Sequence, residues 1–259
     1  MELLNEFKDI EAFFAALKTA PYRLLLLDYD GTLAPFKVER DQATPYDGIP
    51  ELLDEIMTRN SGRVVIISGR AIKDLVPLLG LKRTPEIWGS HGWERLTEAG
   101  TYTAFELKNK MQSGLDQAQS WAKDRGLSQR CELKHGCLAI HWRGLGEKEI
   151  ESIKDDTISN LSPLAQSSEL EFRNFDGGIE LRAPGMDKGE SVKKILSGLD
   201  ESVVSYLGDD LTDEDAFKAL GQNGMSVLVN TNKRPTSADL WLKPPNELIE
   251  FLHRWLNSL

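Results

Sequence analysis

Cysteine is nearly absent from this chain: Cys131 and Cys137 are the only two among 259 residues, too few for a disulfide framework. No apolar run approaches the length needed to cross a bilayer. The first residues, Met1 to Glu6, lack the basic-then-apolar layout of a secretory signal. Basic residues are also short, with 31 Lys and Arg against 41 Asp and Glu for a formal net charge of −10. That balance argues against a nucleic-acid or membrane-surface partner, because no broad phosphate-tracking surface can be assembled. It does not exclude a small anionic substrate, since a bound metal and a few local cations can reverse the field inside a cleft. The expectation is a cytoplasmic protein, acting as a monomer on a small molecule.

What is present is sharper. Leu24-Leu25-Leu26-Leu27 ends in Asp28-Tyr29-Asp30-Gly31-Thr32. Four consecutive leucines read as a strand buried on both faces, as in a parallel sheet, and Asp28 then stands at its carboxyl end, where open α/β sheets bind ligands. Two acids there are costly unless a divalent cation joins them. Gly31 and Thr32 turn the chain and are expected to leave backbone N–H groups and a hydroxyl free for an anion.

The same pattern returns along the chain. A helix is expected from about residue 7 to 18, carrying Phe7, Ile10, Phe13, Phe14 and Leu17, and another near Glu51–Arg59. Arg63–Ile67 is a second buried strand that ends in Ser68-Gly69-Arg70 and runs into a helix through Leu79. Ile87–Gly92 reads as a short third strand and a tight turn. Ser202–Leu207 is a strand ending in Gly208-Asp209-Asp210, followed by a helix from about Thr212, and Ser226–Val229 is one more strand. Strands alternating with helices predict a doubly wound parallel sheet.

From about 106 to 183 the order changes to helix, two strands, helix, two strands, so an α+β unit is expected inside a sheet domain formed by 1–105 and 184–259. With His135-Gly136 as a turn, Lys134 faces Cys137 and period-2 alternation assigns every side chain. Leu133, Leu138, Ile140 and Trp142 share one face; Glu132, Lys134, His141 and Arg143 share the other. A second hairpin sorts Leu170, Phe172, Ile179 and Leu181 from Glu171, Arg173, Glu180 and Arg182. The polar face reads either as solvated surface or as a surface matched to many hydroxyls, as on a sugar. Cys131, His135, Cys137 and His141 have a zinc-like spacing, but this register puts Cys131 and Cys137 on opposite faces, so they cannot close a tetrahedron.

In a parallel sheet the strand ends converge. Asp28 can then attack a phosphoryl group, with Asp30 protonating the leaving oxygen and later deprotonating water. Ser68 and Lys188 can hold the phosphoryl oxygens, and Mg²⁺ removes the repulsion between two anions. Alone, Ser68 would cap the following helix, Lys188 would sit in solvent, and Asp209–Asp215 would be an acidic helix start. Together these separate readings do not explain why all four follow strand ends or open a helix in this order.

Asp28-Tyr29-Asp30-Gly31-Thr32, Ile66-Ile67-Ser68-Gly69-Arg70, Lys188-Gly189 and Gly208–Asp215 resemble the four signature motifs of the haloacid-dehalogenase (HAD) superfamily. The inserted unit resembles its second cap class. Ser90-His91-Gly92-Trp93-Glu94, Glu132-x-Lys134, His141-Trp142-Arg143 and Glu180 further resemble the trehalose-6-phosphate phosphatase branch. The resemblance implies a HAD-like Rossmannoid three-layer α/β core with a parallel sheet and an inserted αββαββ type 2 cap at 106–183. It implies Mg²⁺-dependent hydrolysis of trehalose 6-phosphate, with Asp28, Asp30, Ser68 and Lys188 catalytic; Asp28, the Asp30 backbone carbonyl and Asp209 would ligate the metal, with Asp210 and Asp213 in support. Gly31, Gly69, Arg70, His91, Glu132, Lys134, His141, Arg143 and Glu180 would bind substrate. The alternatives are another glycosyl phosphate, such as glucosylglycerol or sucrose phosphate, or a sugar phosphotransferase or mutase.

Overall fold

A computed structural model describes residues 1–37, 39–59, 62–175, 177–199 and 201–259. The chain divides into two compact units, Met1–Thr103 with Asp187–Leu259 and, separately, Ala104–Met186.

The first unit is built on a sheet of β1 (Glu2–Leu3), β2 (Tyr22–Leu27), β3 (Gly62–Ile67), β4 (Glu86–Gly89), β5 (Glu94–Leu96), β6 (Tyr102–Ala104), β11 (Ser202–Gly208), β12 (Gly224–Val229) and β13 (Leu240–Leu242). Its order is β1-β13-β12-β11-β2-β3-β4-β5-β6. The five pairings from β13 through β4 are parallel, while β1 on β13 and β5 on β4 are antiparallel, so the sheet is mixed at its margins.

Leu24, Leu25, Leu26 and Leu27 are all buried, as a central strand covered on both faces requires. Leu25 and Leu27 pack with Val64, Ile66 and Ile87 against α1 (Ile10–Thr19), α2 (Ile49–Thr58), α3 (Ile72–Leu75) and α8 (Asn246–Leu256). Leu24, Leu26, Val65 and Ile67 are also buried but lie outside that cluster. Their side of the sheet is also the side of Tyr206, whose ring meets Phe217 of α7 (Asp213–Leu220) edge-on at 5.7 Å; α7 packs on α6 (Lys188–Leu196). Each such leucine contributes about 2 kcal/mol of burial, so the slot from which Asp28 emerges is firmly set.

Two local expectations change. The first helix begins at Ile10, because the Asp9 carboxylate accepts from Glu11 N and Ala12 N and caps it there; Phe7 lies before it, 87% exposed. The expected helix through Leu79 is one turn, Ile72–Leu75, followed by a 3₁₀ turn over Val76–Leu78. Pro77 explains the break, since it has no N–H to continue the α-helical pattern. The third strand and tight turn are as expected: the strand stops at Gly89, and Ser90 and His91 take left-handed φ values of 50° and 55°.

The second unit has α4 (Asn109–Asp124), β7 (Cys131–Lys134), β8 (Cys137–His141), α5 (Glu147–Ser168), β9 (Glu171–Phe175) and β10 (Gly178–Arg182), the expected helix–two strands–helix–two strands order. Its sheet runs β7-β8-β10-β9. Lys134 pairs with Cys137 and Leu133 with Leu138, the register read from the sequence. Between the hairpins, Glu180 faces Ala139 and Leu181 faces Leu138. Strand β8 ends at His141, so Trp142 and Arg143 lie beyond it, with Trp142 N donating to Gly177 O at 2.9 Å.

Candidate active site

Asp28, Ser68 and Asp209 follow directly on β2, β3 and β11, three neighbouring parallel strands. The topology therefore brings together residues up to 181 positions apart in sequence. Lys188, the first residue of α6, places Nζ 2.7 Å from Asp28 Oδ1 and 2.8 Å from Asp213 Oδ1. Asp187 caps that helix by accepting from Glu190 N at 2.7 Å, which fixes where Lys188 starts. Tyr206 OH donates to Asp213 Oδ1 at 2.5 Å, and Asp209 N and Asp210 N donate to its Oδ2 at 3.2 and 3.0 Å. Asp213 is thus surrounded by donors and acts as a bracket between the acidic loop and Lys188.

The corner is short of positive charge. Asp28, Asp209, Asp213 and Lys188 are all buried. Burial pushes Asp28 up to about 7, against the lowering effect of Lys188 and with further raising by Asp213 and Asp30. Asp209 is held well above the ordinary carboxylate range by burial, then by Asp28 and Asp213. Burial works against the charge on Lys188, yet Asp213 and Asp28 hold it above the ordinary ammonium value.

These features fit a divalent cation. Ligand oxygens of Asp28, Asp209 and Asp213 lie within 4.8 Å of one another, all buried. Asp209 Oδ1 is buried with no hydrogen-bond partner, an expensive state unless something positive joins it. Gly31 is part of the same cradle. Its φ is +83°, and a Cβ there would stand 2.1 Å from Asp209 Oδ2. The Asp30 and Asp210 carboxylates fall outside the cluster: Asp30 is bound by Arg70, and Asp210 Oδ1 accepts from Leu211 N at 2.6 Å.

The expected free amides at the Gly31 turn are not available. Gly31 N donates to Ala34 O at 2.7 Å and Thr32 N to Tyr29 O at 3.3 Å, because the turn closes on itself. The Thr32 hydroxyl does reach Asp28, at 3.3 Å from its Oδ2.

Asp30 is gripped on both oxygens by Arg70, Nε at 2.7 Å and Nη2 at 2.6 Å, while Nη1 donates to Arg40 O at 2.8 Å. Such a two-pronged grip is specific to guanidinium. Ser68 does not cap the following helix, whose N-cap is Ala71; its Oγ accepts from Arg70 N at 3.1 Å. His91 N donates to Ser68 O at 3.0 Å, and Gly69 makes room for the imidazole: a Cβ there would lie 2.6 Å from His91 Cε1.

In the inserted unit, Lys134 Nζ lies 2.8 Å from Glu180 Oε1 and 4.0 Å from Glu132 Oε2, and His141 Nε2 lies 3.4 Å from Glu132 Oε2. These four form one connected polar network. Arg143 lies past the strand end, its stem over Gly177, where a Cβ would be 2.4 Å from Arg143 Cγ. The cysteines are free, and among the described residues the only cluster able to hold a metal is the aspartate one, consistent with the rejection of zinc.

A sequence model of the trehalose-phosphatase family matches residues 26–245, a span holding every residue of this corner. The chain belongs to that family. A trehalose-phosphate phosphatase of Mycobacterium marinum is 32% identical over 255 residues, covering 93% of this chain and 63% of the relative. This trehalose-phosphatase family member therefore spans a little under two thirds of such curated relatives. The C-terminal domain of a C. albicans trehalose-6-phosphate phosphatase superposes with a TM-score of 0.82 over all of both chains, at 22% identity. A HAD-superfamily phosphatase from Bacteroides thetaiotaomicron gives 0.61 at 15% identity, over 92% of this chain and 96% of its own. The fold is the one these structures share: a Rossmannoid α/β core with an inserted α+β unit.

Two organising residues escape the sequence reading. Tyr206 lies inside an apolar strand, where its hydroxyl signals nothing until Asp213 is placed beside it. Glu94 stands within a quoted motif, but its role emerges only from its donors: Ser90 Oγ at 2.6 Å, Tyr102 OH at 2.7 Å and Ile72 N at 3.2 Å.

Proposed function

We propose that this chain is a Mg²⁺-dependent phosphatase that hydrolyses trehalose 6-phosphate to trehalose and phosphate through a phosphoaspartyl intermediate. The observation that carries this reading is the buried Asp28 carboxylate, paired with Lys188 and clustered with Asp209 and Asp213 at a strand end. Asp28 and Asp209 would hold Mg²⁺, with Asp213 in support, and the ion would supply the charge needed to bring a carboxylate against a phosphate dianion.

The chemistry of the chain then follows from its own groups. One Asp28 oxygen attacks phosphorus and the phosphorus–sugar oxygen bond breaks. Asp30 gives a proton to the leaving sugar oxygen, then takes one from the water that attacks the phosphoaspartate, releasing phosphate and restoring Asp28. Because Arg70 occupies both Asp30 oxygens, one prong of that grip opens before Asp30 carries a proton. Lys188 and the Ser68 hydroxyl hold the transferred phosphoryl oxygens. Glu132, Lys134, His141, Arg143 and Glu180 of the inserted unit, serving as a cap, recognise sugar hydroxyls, with Arg70 and His91 in the same role from the core. On this reading the chain is a cytoplasmic monomer with no nucleic-acid or membrane partner; the net charge of −10 supports the exclusion of nucleic acid.

Phosphate release from a panel of trehalose, sucrose and glucosylglycerol phosphates, with Mg²⁺ and with chelator, tests this. Trehalose 6-phosphate is expected to be preferred and chelator to abolish turnover. Equal rates across the panel would reject the sugar assignment, and full activity in chelator would reject the metal.

A further inference from the structure

One strong side chain near this corner has no place in the reaction above. Arg234 lies in the polar segment between β12 and β13, and its guanidinium is turned onto the backbone of the acidic loop. Nε and Nη2 each donate to Asp209 O at 3.2 Å, and Nη2 also donates to Asp210 O at 2.8 Å. On their amide side, the same two residues donate to Asp213 Oδ2. The loop is therefore held from both sides, carbonyls by Arg234 and amides by Asp213.

The other edge of the guanidinium is anchored. Nη1 donates to Glu214 Oε1 at 2.5 Å, and Glu214 also accepts from Thr236 Oγ1 and Ser237 N, each at 2.7 Å. Burial raises the Glu214 carboxyl, but its donors, Arg234 among them, outweigh this and leave it below the ordinary value. Glu214 thus offsets the positive charge of Arg234, so its effect on a nearby cation is through geometry rather than field. Asp209 carries the buried Oδ1 that lacks a partner, and its backbone is the one Arg234 fixes.

We propose that Arg234 is a positioning residue for the cation site: it locks the Asp209 and Asp210 peptides so that the Asp209 carboxylate meets Mg²⁺ already oriented. This rests on the Mg²⁺ reading above. Groups that orient metal ligands typically change affinity about 10–100-fold when removed. A lysine keeps the charge but cannot reach two carbonyls and a carboxylate with one planar group.

The test is calorimetric titration of the metal-free full chain with Mg²⁺, with far-UV circular dichroism to establish folding. Arg234→Gln is expected to raise the Mg²⁺ Kd about 10–100-fold, and Arg234→Lys less but measurably. If the glutamine variant does not fold, the lysine variant decides. Loss of melting temperature with an unchanged Mg²⁺ Kd in a folded variant would show a merely structural role and overturn the inference. Wild-type protein that binds no Mg²⁺ would overturn the metal reading and this inference together; wild-type binding matched by the variants overturns this inference alone.

Discussion

The two units handle buried charge in opposite ways. At the carboxyl ends of β2 and β11, Asp28, Asp209 and Asp213 share a single buried cation, Lys188. On the inserted sheet, Glu132 and Glu180 are interleaved with Lys134 and His141. The first arrangement sets three carboxylates against one ammonium; the second sets two carboxylates against one ammonium and an imidazole. An unbalanced buried cluster needs a cation from outside. A balanced network of donors and acceptors suits neutral hydroxyls instead. In the proposed function, phosphoryl chemistry belongs to the first unit and sugar recognition to the second.

The sharpest break in that contrast is Asp28→Asn. It removes the proposed nucleophile while keeping its shape, and turnover is expected to fall about 10⁴-fold or more with an unchanged circular dichroism spectrum, as phosphate release would record. On the balanced side, Glu180→Gln takes one charge from the Lys134 pair. KM for the sugar phosphate is expected to rise about 10–100-fold, while hydrolysis of a small aryl phosphate stays near wild type. Equal losses on both substrates would erase the division of labour.

A third prediction concerns pH. Because burial raises Asp28 to about 7 in the metal-free protein, it holds a proton below that pH, and Mg²⁺ must displace it. Mg²⁺ affinity is therefore expected to increase from pH 6 to pH 8, by up to about tenfold per pH unit for each proton displaced, as titration at the two pH values would measure. A flat profile would mean that Asp28 is already ionised without the metal.

The smallest effect lies away from both sites, at Glu86. Burial raises this carboxyl, but hydrogen bonds from Arg63, Trp88 and Arg95 more than reverse it and leave it below the ordinary value. A depressed carboxylate stabilises the fold above its unfolded pKa, and that contribution is lost as pH falls through the folded value. Glu86→Gln is expected to cost about 1–2 kcal/mol at pH 7, with the gap to wild type narrowing below about pH 4. Urea denaturation at both pH values checks it.

The strand ends were readable because four leucines in a row admit few other fates, and an acid directly after them can only lie at a sheet margin. The hairpin register was readable for a comparable reason. Gly136 takes φ +77° at the turn, and alternation then fixes each side chain. The one-turn α3 and the late start of α1 carried signals too, in Pro77 and in the Asp9 cap. Arg70 illustrates the limit. Its motif was visible, but not that its guanidinium grips Asp30, forty residues earlier.

By itself, the sequence determined the chemistry available: an apolar strand that ends in paired acids, a lysine at a helix start, and a two-faced inserted sheet. Those are local patterns, set by periodicity and by where charge can stop being buried. Only the tertiary structure decided which groups meet. Lys188 meets Asp28 and Asp213, Arg234 closes on the Asp209 and Asp210 carbonyls, and Arg70 grips Asp30. Such pairings depend on strand order and loop path, and no local spacing encodes a hydrogen bond between segments that only the folded sheet brings side by side.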